Sequence, residues 1–313
     1  MPTQRRSNVK FVDSNGIEKK IKRGTAQRQA VWWWRPQAGL LLLSLLSCVG
    51  GLAWLYLTPD DGITETLVRQ GETVPEQRVY QVSCSEDYDN YKRYPGCTPQ
   101  KCGRAITDSV VSREEAAILR RLAERGLSLG GSDGGASILD LHSGALSMGK
   151  QFVNIYRYFG EQIKDVFSKE DFELYRSVRQ RIQETIAQTF GLDSSRLYLT
   201  NPTFFSRINS TLAKTTHDEY WHPHIDKVTY GSFDYTSLLY LSDYGVDFGG
   251  GRFIFMDTSA NRTVEPRAGR VSFFTSGTEN LHRVEKVSWG TRFAITVSFT
   301  CDPAHSISDP ALP

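Results

Sequence analysis

The sequence predicts a mainly β ectodomain of sandwich or jelly-roll type with flanking helices, an α+β arrangement, carried behind a single N-terminal transmembrane helix. Three observations predict it. Ala38 to Leu57 is a run of twenty residues without a charge; two capping boxes open helices in the middle of the chain; and from Leu197 the apolar spacing changes from three and four to two. With 313 residues, 23% charged and 39% hydrophobic, the composition is that of a globular chain and excludes disorder throughout. The net charge of +2 announces no nucleic-acid partner.

Residues 1–37 form a basic tail, with nine Lys and Arg against Asp13 and Glu18, so everything after it is net negative. As a helix, residues 38–57 would rise about 30 Å and match the hydrocarbon core of a bilayer. Trp32, Trp33 and Trp34 before the run, and Trp54 and Tyr56 near its end, sit where interfacial aromatic belts lie. A cleavable signal peptide would have shorter basic and apolar regions. Basic residues before the span, and Asp60, Asp61, Glu65 and Glu72 after it, place the N terminus in the cytosol. The chain then reads as a single-pass type II membrane protein whose C-terminal part faces the lumen of the endoplasmic reticulum or Golgi. The tail serves as a topology determinant near anionic headgroups.

Residues 58–105 read as a luminal stem rich in Pro, Gly and acids, without sustained periodicity. Cys48 lies in the span, which leaves Cys84, Cys97, Cys102 and Cys301, enough for two disulfides in an oxidising lumen. Three connectivities are open, and a zinc site at the loosely spaced Cys97 and Cys102 is the rival reading. Asn209-Ser210-Thr211 and Asn261-Arg262-Thr263 are glycosylation sequons, meaningful only on the luminal side.

A helical support region is expected over 106–197. Ser112 and Glu115 form a capping box ahead of Ala116, Ile118, Leu119, Leu122 and Ala123, with Gly126 as the expected stop. Gly130 to Gly135 lacks the spacing of a phosphate loop and reads as a flexible connection. Ser168 and Asp171 open a longer helix with the stripe Phe172, Tyr175, Val178, Ile182, Ile186 and Phe190, stopped by Gly191.

Strand-like runs follow near 197–200, 203–208, 235–241, 252–256, 270–274, 281–287 and 291–299, seven or eight strands over about 100 residues. The last two are expected to form a hairpin turning at Ser288-Trp289-Gly290. Its second strand alternates Arg292, Ala294, Thr296 and Ser298 with Phe293, Ile295, Val297 and Phe299, so the aromatic face packs under the long helix. The polar face carries Arg292, and the turn puts His282 on the same side. Residues 303–313 are left as a C-terminal tail.

His224 and Asp226, two apart in an extended segment, project to one side and can converge on one ion. His282 supplies a third ligand. Two imidazoles and one carboxylate on one octahedral face leave three positions open, a set that suits non-haem Fe(II) oxygen chemistry better than zinc. Arg292, ten residues beyond His282, can hold a remote carboxylate bidentately while the same molecule chelates the metal, a geometry that describes 2-oxoglutarate. His222 stands outside this frame and reads as a structural neighbour. His142, His217 and His305 have no spacing that calls for a role.

His224-Ile225-Asp226, 55 intervening residues, His282 and then Arg292, with Phe248-Gly249-Gly250-Gly251 leading into a strand, resemble the 2-oxoglutarate- and Fe(II)-dependent dioxygenases, and within them the prolyl 4-hydroxylase-type branch. The resemblance covers roughly residues 198–302. It implies a double-stranded β-helix (jelly-roll) domain over that span. His224, Asp226 and His282 would be the catalytic metal set, Arg292 the partner of the distal carboxylate, and Tyr240 a contact to the co-substrate. Fe(II), 2-oxoglutarate and O2 are implied, with ascorbate as reductant. The implied reaction hydroxylates a prolyl or lysyl side chain of a secretory-pathway protein or peptide and releases succinate and CO2. Asp226 favours hydroxylation, since halogenating relatives lack the carboxylate. Arg292 stands where animal collagen prolyl hydroxylases usually have lysine. Two other readings compete: a catalytically silent jelly-roll ectodomain that binds a glycan or protein, and a zinc or manganese enzyme on a cupin-like barrel. Substrate and oligomeric state stay open.

Overall fold

A computed structural model of the chain describes Ser47, residues 64–91 and residues 94–312. The chain divides into two units, residues 1–60 and 61–313. The predicted tail and span, with Cys48, lie outside the described residues except for Ser47. Among the described residues no helix is long and apolar enough to cross a membrane.

Strand formation in the second unit begins inside the expected stem. β1 (Thr64–Val68), β2 (Arg78–Val82) and β3 (Cys102–Thr107) are followed by β4 (Gly131–Ser132), β5 (Ala136–Leu139), β6 (Ala145–Gly149) and β7 (Gln151–Asn154). Then come β8 (Tyr198–Asn209), β9 (Tyr235–Tyr240), β10 (Phe248–Gly250), β11 (Phe253–Met256), β12 (Asn261–Val264), β13 (Val271–Thr275), β14 (His282–Val284) and β15 (Val287–Thr300). The larger sheet runs β2-β3-β13-β9-β15-β8-β5-β6-β4, with β10 added to β15 and β7 to β6. The smaller sheet runs β1-β12-β11-β14. Leu238, Tyr240, Phe274 and Ala294 of the larger sheet pack with Val68, Phe253, Phe255 and Val264 of the smaller one, which makes a jelly-roll-like sandwich.

Helices α1 (Arg113–Ser128) and α2 (Lys169–Phe190) cover the opposite face of the larger sheet, and a 5-residue α3 (Asp226–Tyr230) lies in the site. Both predicted capping boxes form, Ser112 with Glu115 and Ser168 with Asp171, and Gly191 closes α2 at φ 73°. Phe172, Tyr175, Val178, Ile182, Ile186 and Phe190 are all buried, in one core with Phe293, Ile295, Val297 and Phe299 of β15. The aromatic face of β15 therefore packs under the long helix as its alternation predicts.

Five expectations are corrected. Residues 58–105 are not a stem apart, because β1 pairs with β12 and β3 sits between β2 and β13; β1 is mostly exposed and presents no apolar run to read. Residues 106–197 likewise supply β4 to β7 as well as helices. Gly126 does not stop α1 but lies within it, where a Cβ would come within 2.4 Å of Leu139 Cδ2, so the glycine permits close packing of helix on strand. The Gly130–Gly135 stretch is not a loose connection: it holds β4, and Ser132 Oγ donates to the buried Asp218. The expected hairpin does not exist. β14 pairs with β11 in the smaller sheet, while β15 runs unbroken from Val287 and pairs with β8, β9 and β10 in the larger one.

Two disulfides form, Cys84–Cys102 and Cys97–Cys301, which selects one of the three connectivities and removes the zinc reading. Cys97–Cys301 ties the start of the unit to the end of β15 across 204 residues.

Arg270 leads into β13, fully buried, and all five of its N–H groups are satisfied. They donate to both Asp108 oxygens at 2.9 and 3.0 Å and to the carbonyls of Arg69, Glu72 and Glu265. Arg270→Leu leaves Asp108 beside an apolar group, and the loss expected for breaking such a buried pair is about 3–5 kcal/mol. Urea unfolding monitored by tryptophan fluorescence should show the midpoint fall accordingly.

Candidate active site

The two histidines, 58 residues apart in sequence, are set opposite each other by backbone. His224 N donates to His282 O at 2.9 Å and His282 N to His224 O at 3.1 Å, an isolated antiparallel bridge. Ile225 is extended at φ −119°, ψ 120°, and Asp226 then opens α3, so His224 and Asp226 project to one side as expected. His282 arrives on β14 from the other sheet.

Ring orientation follows from the hydrogen bonds. His224 Nδ1 lies 3.0 Å from His222 O, and His282 Nδ1 lies 2.8 Å from Asn280 O. A carbonyl can only accept, so both Nδ1 atoms carry the proton and both Nε2 lone pairs point inward. Each Nε2 is 3.6 Å from Asp226 Oδ1, too long for a hydrogen bond. The ligand atoms of the three residues lie within 4.8 Å of one another, in reach of a single cation. Two neutral imidazoles with one carboxylate oxygen is the donor set of a non-haem Fe(II) centre with open positions. His222 itself is exposed and paired with Glu219, and contributes only its carbonyl.

His282 is 3% exposed, stacked on Phe253 at 5.0 Å and edged by Phe274. Burial pushes its pKa below the ordinary 6.5 against the pull of Asp226, so the metal-binding neutral form is favoured. The unfolded chain takes up this proton first as pH falls. Metal-free stability contributed here is thus complete above about pH 6.5 and declines below it, which melting curves between pH 7.5 and 5.5 should register.

A cavity of about 290 Å³ opens beside the triad, with Arg292 in its lining, at the small end of the usual range of about 300–1,000 Å³ for ligand pockets. Register explains the placement: Arg292 pairs with Ile208, Ala294 with Ser206 and Tyr240, and Thr296 with Phe204 and Leu238, so one face of three strands makes the wall. Arg292 and His282 do share a cavity, but from opposite sheets rather than along a hairpin. The Arg292 guanidinium is buried and sits 5.5 Å from the centre of the Tyr240 ring, with Nε donating to Gly251 O at 2.9 Å. Gly251 is needed there: at φ +66° a Cβ would meet Val287, Phe248 and Arg292 Cδ. Arg292 Nη2 is buried without any partner, and burial pushes the guanidinium below its ordinary pKa. No carboxylate among the described residues pairs with it. An orphaned guanidinium facing a three-donor metal set fits an acid that chelates at one end and forms a salt bridge at the other.

Tyr240 is fully buried, and its hydroxyl lies 3.0 Å from Ser272 Oγ. Asn209 ends β8, with its side-chain oxygen accepting from Thr211 N, and Asn261 opens β12 half-buried. β12 is held between β1 and β11.

Sequence reasoning missed Thr236, Phe233, Tyr230, Tyr220 and His217, all in the cavity wall. Tyr230 stacks on Phe233 at 4.4 Å, and Tyr220 accepts from Val287 N at 2.8 Å. Only closeness to His224-Ile225-Asp226 marked Tyr220, Tyr230, Phe233 and His217, since short helices and turns carry no apolar period; Thr236 lies on β9, where the strand pattern alone gives no role to one threonine. The segment from Thr211 to Tyr220 brings His217 and Tyr220 to the cavity wall.

Residues 210–300 match the 2OG-Fe(II) oxygenase superfamily. The chain is 61% identical over 322 residues to 2-oxoglutarate and iron-dependent oxygenase domain-containing protein 3 of Homo sapiens, covering 100% of each. It is 64% identical over 295 residues to the protein of that name from Xenopus tropicalis, covering 94% of this chain and 91% of the other. At greater distance it is 29% identical over 224 residues to prolyl 3-hydroxylase 1 of Rattus norvegicus, covering 66% of this chain and 30% of that one.

Proposed function

The chain belongs to the 2OG-Fe(II) oxygenase superfamily, an enzyme family using Fe(II), 2-oxoglutarate and O2, and from that premise we propose that it hydroxylates a prolyl side chain of a secretory-pathway protein or peptide. The observation that carries the reading is the orphaned Arg292 guanidinium in the same cavity as His224, Asp226 and His282. Bound there, Fe(II) and 2-oxoglutarate supply an oxidative decarboxylation that puts one oxygen atom of O2 into succinate and the other into a substrate C–H bond. The protein's share is placement. His224, Asp226 and His282 hold the metal, with both imidazoles fixed in one tautomer by backbone carbonyls. Arg292 pairs with the distal carboxylate, and the Tyr240 ring beneath it supports the cation. Leu238, Phe253 and Val284 keep water from the reacting side.

The choice of proline over lysine rests on charge and shape. Among the described residues Asp226 is the only acid in the cavity wall, and on this reading it is committed to the metal, so a lysine ammonium would find no counter-charge. Phe204, Tyr230 and Phe233 offer flat apolar surface to a neutral ring. A catalytically silent binding module is disfavoured because the unpartnered Arg292 Nη2 shares one cavity with a complete two-histidine, one-carboxylate donor set, a combination that binding a glycan or a protein surface does not require.

Membrane anchoring through 38–57 with the catalytic domain in the lumen belongs to the same proposal. Two disulfides support an oxidising compartment, and Asn209 and Asn261 are its glycan sites. Ascorbate is the proposed reductant. Incubating the full chain with Fe(II), 2-oxoglutarate and ascorbate, and with matched proline-containing and lysine-containing peptides, tests the reading. Mass gain of one oxygen on proline is expected; gain confined to lysine contradicts it.

A further inference from the structure

Asp226 has two oxygens, and the structure gives them different surroundings. Oδ1 faces both imidazole Nε2 atoms at 3.6 Å, whereas Oδ2 accepts from Thr236 Oγ1 at 2.7 Å. Thr236 is 2% exposed and lies 2.9 Å from Ser276 Oγ. A hydroxyl has one proton, and an ionised carboxylate can only accept. Thr236 must therefore spend its proton on Asp226, and Ser276 must donate to Thr236, which sets the direction of the chain. Both ends are anchored. Ser276 N donates to Asp234 O at 3.0 Å, and Ser276 O accepts from Lys227 N at 2.9 Å, next to Asp226 on α3. Thr236 is held on β9 between β13 and β15.

We propose that Thr236 is a positioning residue that keeps Asp226 a one-oxygen ligand. The inference rests on reading His224, Asp226 and His282 as a metal centre. An octahedral ion bound by two imidazoles and one oxygen keeps three positions, two for a chelating oxo acid and one for O2. A carboxylate that swung to bind through both oxygens would take one of the three. With Oδ2 tied to Thr236, turning it toward the ion breaks a buried charge-assisted hydrogen bond and leaves the Thr236 hydroxyl proton without its acceptor. Thr236 thus acts on the number of open positions, a property separate from whether metal binds.

Water-proton relaxation by bound Mn(II), measured on the full chain with protein in excess, counts the waters on the ion. Wild type should hold about three in the absence of 2-oxoglutarate, and Thr236→Val, isosteric but without the donor, should lose about a third of the enhancement. Thr236→Ser should restore it. Ser276→Ala leaves the Thr236–Asp226 bond intact and should match wild type, although it removes a buried hydroxyl from the same network. If Thr236→Val proves too unstable, Thr236→Cys, a weak donor, should show the same direction of change. A purely structural Thr236 would lower melting temperature and Mn(II) affinity in Thr236→Val without changing the enhancement at saturation; that outcome overturns the proposal, as does a Ser276→Ala loss equal to that of Thr236→Val. Absence of Mn(II) binding to wild type would remove the metal centre and this inference with it, whereas normal binding with an unchanged count removes this inference alone.

Discussion

Asp226→Ala is expected to lower 2-oxoglutarate turnover at least ~1,000-fold, about 4 kcal/mol of transition-state stabilisation. Among the described residues Asp226 brings the only carboxylate in the cavity wall, so its removal leaves two neutral imidazoles to hold a dication. It also strands the Thr236 hydroxyl, whose acceptor is Asp226 Oδ2. Succinate release measured with and without peptide separates loss of the centre from loss of substrate binding, because both rates should fall together. The melting temperature of the metal-free variant should change far less, since Asp226 sits among groups it repels or merely touches, apart from Thr236. A variant that releases succinate at near wild-type rate would show that the metal is held elsewhere.

Arg292→Leu should weaken 2-oxoglutarate binding by about 100- to 1,000-fold, the loss of two charge-assisted hydrogen bonds discounted for residual metal chelation. Metal-free stability should stay level or rise. Arg292 is buried with one hydrogen bond, to Gly251 O, and an unpartnered Nη2, so the free protein carries an uncompensated desolvation penalty that leucine removes. Arg270 is the control within the same fold. It is equally buried, yet every N–H has a partner, and its replacement should be costly. Two buried arginines with opposite expected responses distinguish a ligand-binding cation from a structural one. Calorimetric melting of the two variants, alongside 2-oxoglutarate titration of Arg292→Leu, checks the pair; a large stability loss in Arg292→Leu would assign Arg292 to the core.

The site was legible in sequence because its chemistry depends on few residues with strict types. His224 and Asp226 stand two apart in extended chain, and the β15 alternation separates Arg292 from the Phe293 to Phe299 face, so period two alone places the guanidinium opposite the helices. The capping boxes at Ser112 and Ser168 were readable for a similar reason: hydroxyl and carboxylate sit at a fixed offset that serves one local geometry. What failed was pairing. His282 to Val284 and Val287 to Thr300 follow one another along the chain, Gly290 lies inside the second strand rather than between the two, and nothing local says that the chain crosses from one sheet to the other at Glu285 and Lys286. β1 and β2 escaped notice because their partners, β12 and β3, supply the order that their own side chains do not. Among cavity-wall residues, Tyr230 sits on a short helix that carries no apolar period, while Thr236 lies in a readable strand but without a spacing that ties it to Asp226; Gly126 misled because a glycine that stops a helix and one that lets it approach a strand look alike.

The central claim is that His224, Asp226 and His282 meet around one Fe(II) ion with Arg292 in reach of the same bound acid. Anaerobic titration of the full chain with Fe(II) and 2-oxoglutarate tests it most directly. A metal-to-ligand charge-transfer band should grow to one equivalent only when both are present, vanish in His282→Ala, and require far more 2-oxoglutarate in Arg292→Leu. No band in the intact chain, or a full band in His282→Ala, would contradict the claim.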